Sequence, residues 1–376
     1  MKTNNRKQNA KKVDLSLLET LYNLHSPSGE EGDIQAYCIE YAQLTGANVT
    51  VDEVGNVYIT RGNAATFPCF VAHMDEVHQT RTKNFKTQTV GNTIFGYDFG
   101  TESFTGIGAD DKNGIYVILK MLEEVKEMKA VLFVQEEVGC IGSRAADMEF
   151  FNNCRFVIQI DRKGKKDFIT EAAGQELCTG DFYDLSGAIK YGYTATTGAM
   201  TDVMQLKENG LKIAACNLSV GYYNPHTDNE NTNLADLQNC FNLCLHIAET
   251  IKTIQPHQPK RTTPKYYGYG YGYGSGYGYG NGKSVFSSNN NITPEAEEEE
   301  ERINDLEQQE VESILESIIY SDEYIDRLFY LTTKEGDQII KQVRKVIGYN
   351  VSKTTIANVF YYLIGYQLYY TKTDNK

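Results

Sequence analysis

Three short apolar runs, Cys69-Phe70-Val71-Ala72, Val131-Leu132-Phe133-Val134 and Phe156-Val157-Ile158-Gln159-Ile160, each lead into a side chain able to bind a proton or a cation. Those side chains are His73, the pair Glu136-Glu137, and Asp161. Runs of this kind read as strands buried on both faces, the habit of parallel sheets covered by helices. A helical spacing lies between the first two, with Ile115, Ile118, Leu119, Leu122 and Val125 on one face. The expected fold is therefore α/β, a mostly parallel mixed sheet sandwiched by helices, followed by a small all-α C-terminal domain. Open α/β sheets bind ligands at the carboxyl ends of their strands, so the three run ends should share one rim.

The same patterning places helices near 14–24 and 30–44, strands near 48–60 and 69–73, and a helix over 111–127. A strand at 130–135, a short helix after Gly142, a strand at 156–161 and a hairpin near 167–174 follow. A helix from Thr201, a strand over 211–220 and a helix over 233–253 close the domain.

Five elements carry candidate chemistry. His73-Met74-Asp75 sets an imidazole two residues ahead of a carboxylate, which can accept the imidazole's second N–H and fix its tautomer. Gly108-Ala109-Asp110-Asp111-Lys112-Asn113-Gly114 opens a helix; one aspartate suffices as an N-cap, which leaves the other free. Glu136 and Glu137 are adjacent on what reads as extended chain, where neighbours point opposite ways, one toward a metal and one toward substrate. Asp161 ends its strand, and His226 lies in Asn224-Pro225-His226-Thr227-Asp228 after the apolar stretch 213–220. Taken singly, each has an ordinary account as loop, cap or surface residue. Together they form a set of imidazoles and carboxylates suited to metal ions.

The order His-X-Asp, Ala-Asp-Asp-Lys-X-Gly, Glu-Glu-X-Gly, Asp, Pro-His-Thr resembles the co-catalytic dizinc exopeptidases of the M20/M28/M42 clan, peptidase T above all, over about residues 13 to 255. Ser26-Pro27-Ser28-Gly29-Glu30-Glu31, Asp52-Glu53-Val54-Gly55-Asn56-Val57 and Gly198-Ala199-Met200-Thr201-Asp202 extend the similarity. The resemblance implies that Asp110 bridges two ions, that His73 and Asp161 complete one, and that Glu137 and His226 complete the other. It makes Glu136 the general base and acid, and Asp75 the residue that holds His73. Two divalent cations against three carboxylates leave one positive charge, which a bridging hydroxide would neutralise. Nitrogen and oxygen donors without thiolate suit Zn²⁺, two per chain, with Mn²⁺ or Co²⁺ as substitutes. The implied activity is hydrolysis of a peptide or small amide substrate, most simply by an aminopeptidase. Deacylases and carboxypeptidases share the chemistry, and a non-catalytic scaffold or docking protein on the same fold is the alternative.

The chain also departs from that pattern. The Asp161–His226 interval is too short for the lid domain of M20 enzymes, and the His73–Asp110 interval too short for the M42 insertion, so a lidless catalytic domain is expected. Without a lid the oxyanion needs another donor, for which Tyr222 and Tyr223 are the candidates.

A net charge of −14 argues against nonspecific binding to nucleic acid or an anionic membrane, and no run approaches the ~20 apolar residues of a membrane span. Eight cysteines without CxxC spacing read as buried thiols of a reducing, cytoplasmic protein. His25, His78, His246 and His257 fit no ligand position, although His78 is near enough to His73 to reach the cleft mouth. Residues 1–12 read as a disordered tail, 13–255 as the catalytic domain, and 256–300, with its alternating Gly and Tyr, as a flexible linker spanning roughly 35–40 Å. Residues 301–376 carry amphipathic helical patterns, a helical domain fit for self-association or for a protein partner.

Overall fold

The computed structural model describes residues 13–258 and 260–261. The expected N-terminal tail, nearly all of the linker and the C-terminal helical domain lie outside the described residues.

In chain order the elements begin with α1 (Leu15–Asn23), α2 (Gly32–Leu44), β1 (Asn48–Val51), β2 (Val57–Arg61), β3 (Phe67–His73), β4 (Phe85–Val90), β5 (Thr93–Asp98) and β6 (Ser103–Thr105). Next come α3 (Ala109–Glu124), β7 (Met128–Phe133), α4 (Ile141–Arg144), β8 (Cys154–Arg162), β9 (Asp167–Ala172), β10 (Gln175–Glu176), α5 (Gly180–Ser186) and β11 (Thr194–Gly198). The unit ends with α6 (Asp202–Glu208), β12 (Ala215–Ser219), β13 (Tyr222–Tyr223), β14 (Asn231–Asn233), α7 (Leu234–Thr250) and β15 (Lys260–Arg261).

The main sheet runs β1-β2-β7-β3-β8-β12-β9-β10-β15, with β11 on β9. Its centre, β7-β3-β8-β12, is parallel, and antiparallel strands flank it. Every residue of β3 is buried. Phe70 and Ala72 face one apolar cluster, shared with α1, α2, α3 and α7, while Cys69 and Val71 face another, shared with α6. That alternation, with apolar residues on both faces, is why the run lacks a polar side, and it gives the expected helix-covered α/β sheet.

The structure adds elements that the patterning missed. The expected strand over 48–60 is two strands, split where Asp52 Oδ1 accepts the N–H groups of Val54, Gly55 and Asn56 and Gly55 takes φ +104°. Residues 85–105 form a meander that joins β13 and β14 in a second sheet. Its first hairpin turns through Gly91-Asn92, a two-residue turn signal between strands too polar to stand out as buried. The interval from Asp161 to His226 forms strands and helices of the main sheet plus β13, and among the described residues it carries no inserted lid domain.

The folded chain also runs past the expected boundary at Gln255. Pro256 bridges Ile213, His257 donates its N–H to Lys212, and β15 pairs with β10. Prolines and polar residues gave no strand signal there, because the edge of a sheet accepts both.

Candidate metal centre

The ends of β3, β7 and β8 lie side by side, with His73 opposite Phe133 in register and Ser219 of β12 opposite Arg162. His73 is buried. Its Nδ1 lies 3.1 Å from the Asp75 carbonyl and 3.3 Å from Asp75 Oδ1, so its Nε2 faces the other way. There Nε2 is 3.3 Å from Asp110 Oδ1 and 3.6 Å from Asp161 Oδ1. His226, half-exposed on a loop, brings its Nε2 to 3.3 Å from Asp110 Oδ2 and 3.0 Å from Glu137 Oε1. Each oxygen of Asp110 thus faces a different imidazole, and each imidazole has a further carboxylate of its own.

Asp111 explains how its neighbour is left free. Its Oδ1 accepts the Gly114 N–H at 3.0 Å, as a helix cap does, and its Oδ2 accepts the His73 N–H at 3.3 Å. His73, Asp111 and Asp161 also lie close enough to share an ion, but each Asp111 oxygen already accepts a backbone N–H, which leaves it less free than Asp110 for a cation. Asp110 itself is non-helical, with φ −83° and ψ 99°, and the peptide joining it to Asp111 is cis.

Glu136 and Glu137 are not on extended chain as the sequence suggested. Strand β7 stops at Phe133, Gln135 takes a left-handed φ of +54°, and the two glutamates sit in a turn closed by Gly139 and Cys140 N–H bonds to the Glu136 carbonyl. Asp75 fixes that turn: its Oδ1 accepts the Glu136 N–H at 2.9 Å and its Oδ2 the Glu137 N–H at 3.1 Å, with Ser28 Oγ donating to Oδ2. Two of the further sequence matches brace the same turn. Glu31 accepts the Gln135 N–H, while Asn56 accepts the Val134 N–H and donates to the Gly142 carbonyl.

Asp161 Oδ1 accepts from Tyr222 Oη at 3.2 Å. Tyr223 turns away to bond Asp236 at 2.7 Å, which removes it as an oxyanion donor. Its alternation with Tyr222 along β13 sends the two rings to opposite faces. Asp202 is fully buried at the start of α6; Gln159 binds it and also accepts the Val203 N–H that a capping side chain would otherwise take.

Sequence reasoning missed Glu230. Buried, it accepts N–H groups from Ile107, Gly108 and Asp110 at 2.7–2.9 Å and so fixes the backbone that presents Asp110. Within Asp228-Asn229-Glu230-Asn231 it looked like solvated loop; no periodicity marks it. His78, which the sequence brought only to the cleft mouth, lies 3.5 Å from this glutamate, and His25 bonds the His78 carbonyl. His257 belongs to a buried contact with Lys207 and Glu176 instead.

The electrostatics are those of a cation site. The carboxylates of Asp110 and Glu137 push the His226 imidazole up to about 10, and burial of Glu136 among acidic neighbours pushes its carboxyl up to about 9. Burial opposes charge on His73, yet Asp110 and Asp161 hold its pKa well above the usual range. Protons on the imidazoles balance the acid cluster, and metal binding exchanges such protons for ions. The spacing fits too: zinc bonds of 2.0–2.2 Å in tetrahedral geometry separate their ligand atoms by about 3.3–3.6 Å, close to the 3.0–3.6 Å found here.

No protein-family model matches the chain. Among solved structures it is similar to aminopeptidase PepT from Bacillus cereus, with a TM-score of 0.55 and 16% identity over 65% of this chain and 99% of that one. A tripeptidase from Staphylococcus aureus gives a TM-score of 0.54 and 17% identity over 65% and 98% of the two chains. Aminopeptidase APDkam598 from Desulfurococcus kamchatkensis gives 0.51 and 18% over 64% and 97%. The fold is therefore shared with these peptidases. In sequence, 61 residues are 38% identical to a protein of Pyrobaculum aerophilum assigned as a LysW-lysine/LysW-ornithine hydrolase, a match spanning 16% of this chain and 18% of that relative.

Proposed function

We propose that the chain is a two-metal peptidase, most simply an aminopeptidase. The observation that carries this reading is the division of Asp110, with one oxygen toward His73 and Asp161 and the other toward His226 and Glu137. Asp110 would bridge two Zn²⁺ ions, His73 and Asp161 holding one, Glu137 and His226 the other. Bound there, the ions supply Lewis acidity and bring the pKa of water at the site toward ~7. Their charge also counteracts the burial that keeps Glu136 protonated.

The protein's own residues do the rest. Glu136, half-buried beside the cage, takes a proton from the attacking water and delivers it to the departing amine. Asp75 keeps Glu136, Glu137 and His73 in one geometry through its three bonds. Tyr222, whose hydroxyl reaches Asp161 at the cage, is the side chain we assign to donate to the developing oxyanion. The identity to a LysW-lysine hydrolase favours a second reading within the same chemistry, an amide hydrolase acting on an acyl-type substrate.

Metal content of the wild type and of Glu136→Gln, with turnover of a panel of aminoacyl, peptidyl and N-acyl substrates, tests both readings. Near two zinc per chain in each protein, with cleavage in the wild type alone, is the expected result. Absence of bound metal and of turnover would overturn the reading and leave a scaffold protein.

A further inference from the structure

The turn that carries the two glutamates ends in Cys140, whose Sγ lies 3.4 Å from Glu136 Oε1. Asp202 reaches the same place from α6, and donor atoms of Glu136, Cys140 and Asp202 all lie within 4.8 Å of one another. One Asp202 oxygen, Oδ2, accepts from Gln159 at 3.2 Å. The other, Oδ1, is buried with no donor in hydrogen-bonding geometry among the described residues, although the Ser143 hydroxyl is near enough to the carboxylate to favour its charged form. A fully buried carboxylate oxygen that lacks a donor is costly, and its position beside a thiol and a second carboxylate is the arrangement a cation would complete. The proposed hydrolysis uses neither Cys140 nor Asp202.

We propose that Glu136, Cys140 and Asp202 form a third, inhibitory cation site, filled by a thiophilic divalent ion such as Zn²⁺ after the two cage positions. The proposal rests on the two-metal reading above. The cage offers imidazole and carboxylate donors, whereas this site offers sulfur, so it selects Zn²⁺, Co²⁺ or Cd²⁺ over Mn²⁺. Binding forms a metal–sulfur bond and releases the thiol proton to solvent. Half-buried Glu136 opens the site toward the cleft, and an ion held on its carboxylate stops it from accepting a proton from water. The consequence is loss of activity in excess zinc and none in excess manganese.

Titration of the metal-free full chain with Co²⁺ separates the two kinds of site by spectrum. The first two equivalents should bring no thiolate-to-cobalt charge-transfer absorption, and the third should bring it. In Cys140→Ser that absorption should be absent, and zinc inhibition, scaled to the variant's own uninhibited rate, should weaken by about tenfold or more. Asp202→Asn should weaken inhibition similarly while keeping the charge-transfer band at higher Co²⁺. Two bound equivalents followed by no thiolate band, or undiminished inhibition of Cys140→Ser, would overturn the third site and leave the two-metal reading intact. A thiolate band at the first equivalent would overturn the proposed order of filling. Failure of the chain to bind any metal would overturn both.

Discussion

Asp75 accepts the N–H groups of Glu136 and Glu137 and meets His73 Nδ1, so a residue expected only to orient an imidazole also sets the turn of the general base. Asp110 and Asp111 divide their labour in the way two successive aspartates at a helix start allow: Asp111 caps, and Asp110 is free. Tyr222 poses the sharpest question at this scale, because its hydroxyl serves Asp161 and also lies beside the cage. If it stabilises the developing oxyanion, Tyr222→Phe should lower kcat by about 100-fold or more with two metal ions still bound. Unchanged turnover would exclude that role, and a fall in metal affinity with kcat preserved at saturating zinc would make it a support for Asp161 alone.

Among elements, the approach of α3 to β8 sets the depth of the cage. A Cβ at Gly114 would stand 2.4 Å from the Ile160 carbonyl and 2.5 Å from both Asp111 oxygens, so the helix can pack this closely only with glycine there. Gly114→Ala should cost about 1–3 kcal/mol and weaken metal binding, measured by thermal melting and by metal titration; wild-type values for both would show that the helix start tolerates displacement. The central strands and their terminal ligands were legible in sequence because a strand buried on both faces must be largely apolar until it reaches the rim, as 67–73 is and as 156–161 is apart from Gln159. The meander over 85–105 was not legible, since its strands are part polar and only Gly91-Asn92 marks the turn. Glu230 was hidden for a different reason: its role exists only through backbone groups more than a hundred residues away in sequence.

For the molecule as a whole, the boundary of the folded unit carries a prediction. Gln255 donates to the Arg155 carbonyl, His257 contacts Lys207, and β15 extends the sheet, so the chain beyond α7 is part of the structure. A chain of residues 1–264 should bind metal and turn over substrate like the full protein, whereas 1–255, which keeps the Gln255 bond but loses the His257 contacts and β15, should melt roughly 5–10 °C lower. Equal melting of the two truncations would show that the edge contributes nothing. Whether Asp110 joins two half-sites is read out by counting tightly bound zinc per chain in His73→Ala, His226→Ala and Asp110→Ala. The division of the cage predicts about one ion in each histidine variant and about none without Asp110. Loss of all metal in either histidine variant, or two ions retained without Asp110, would contradict it.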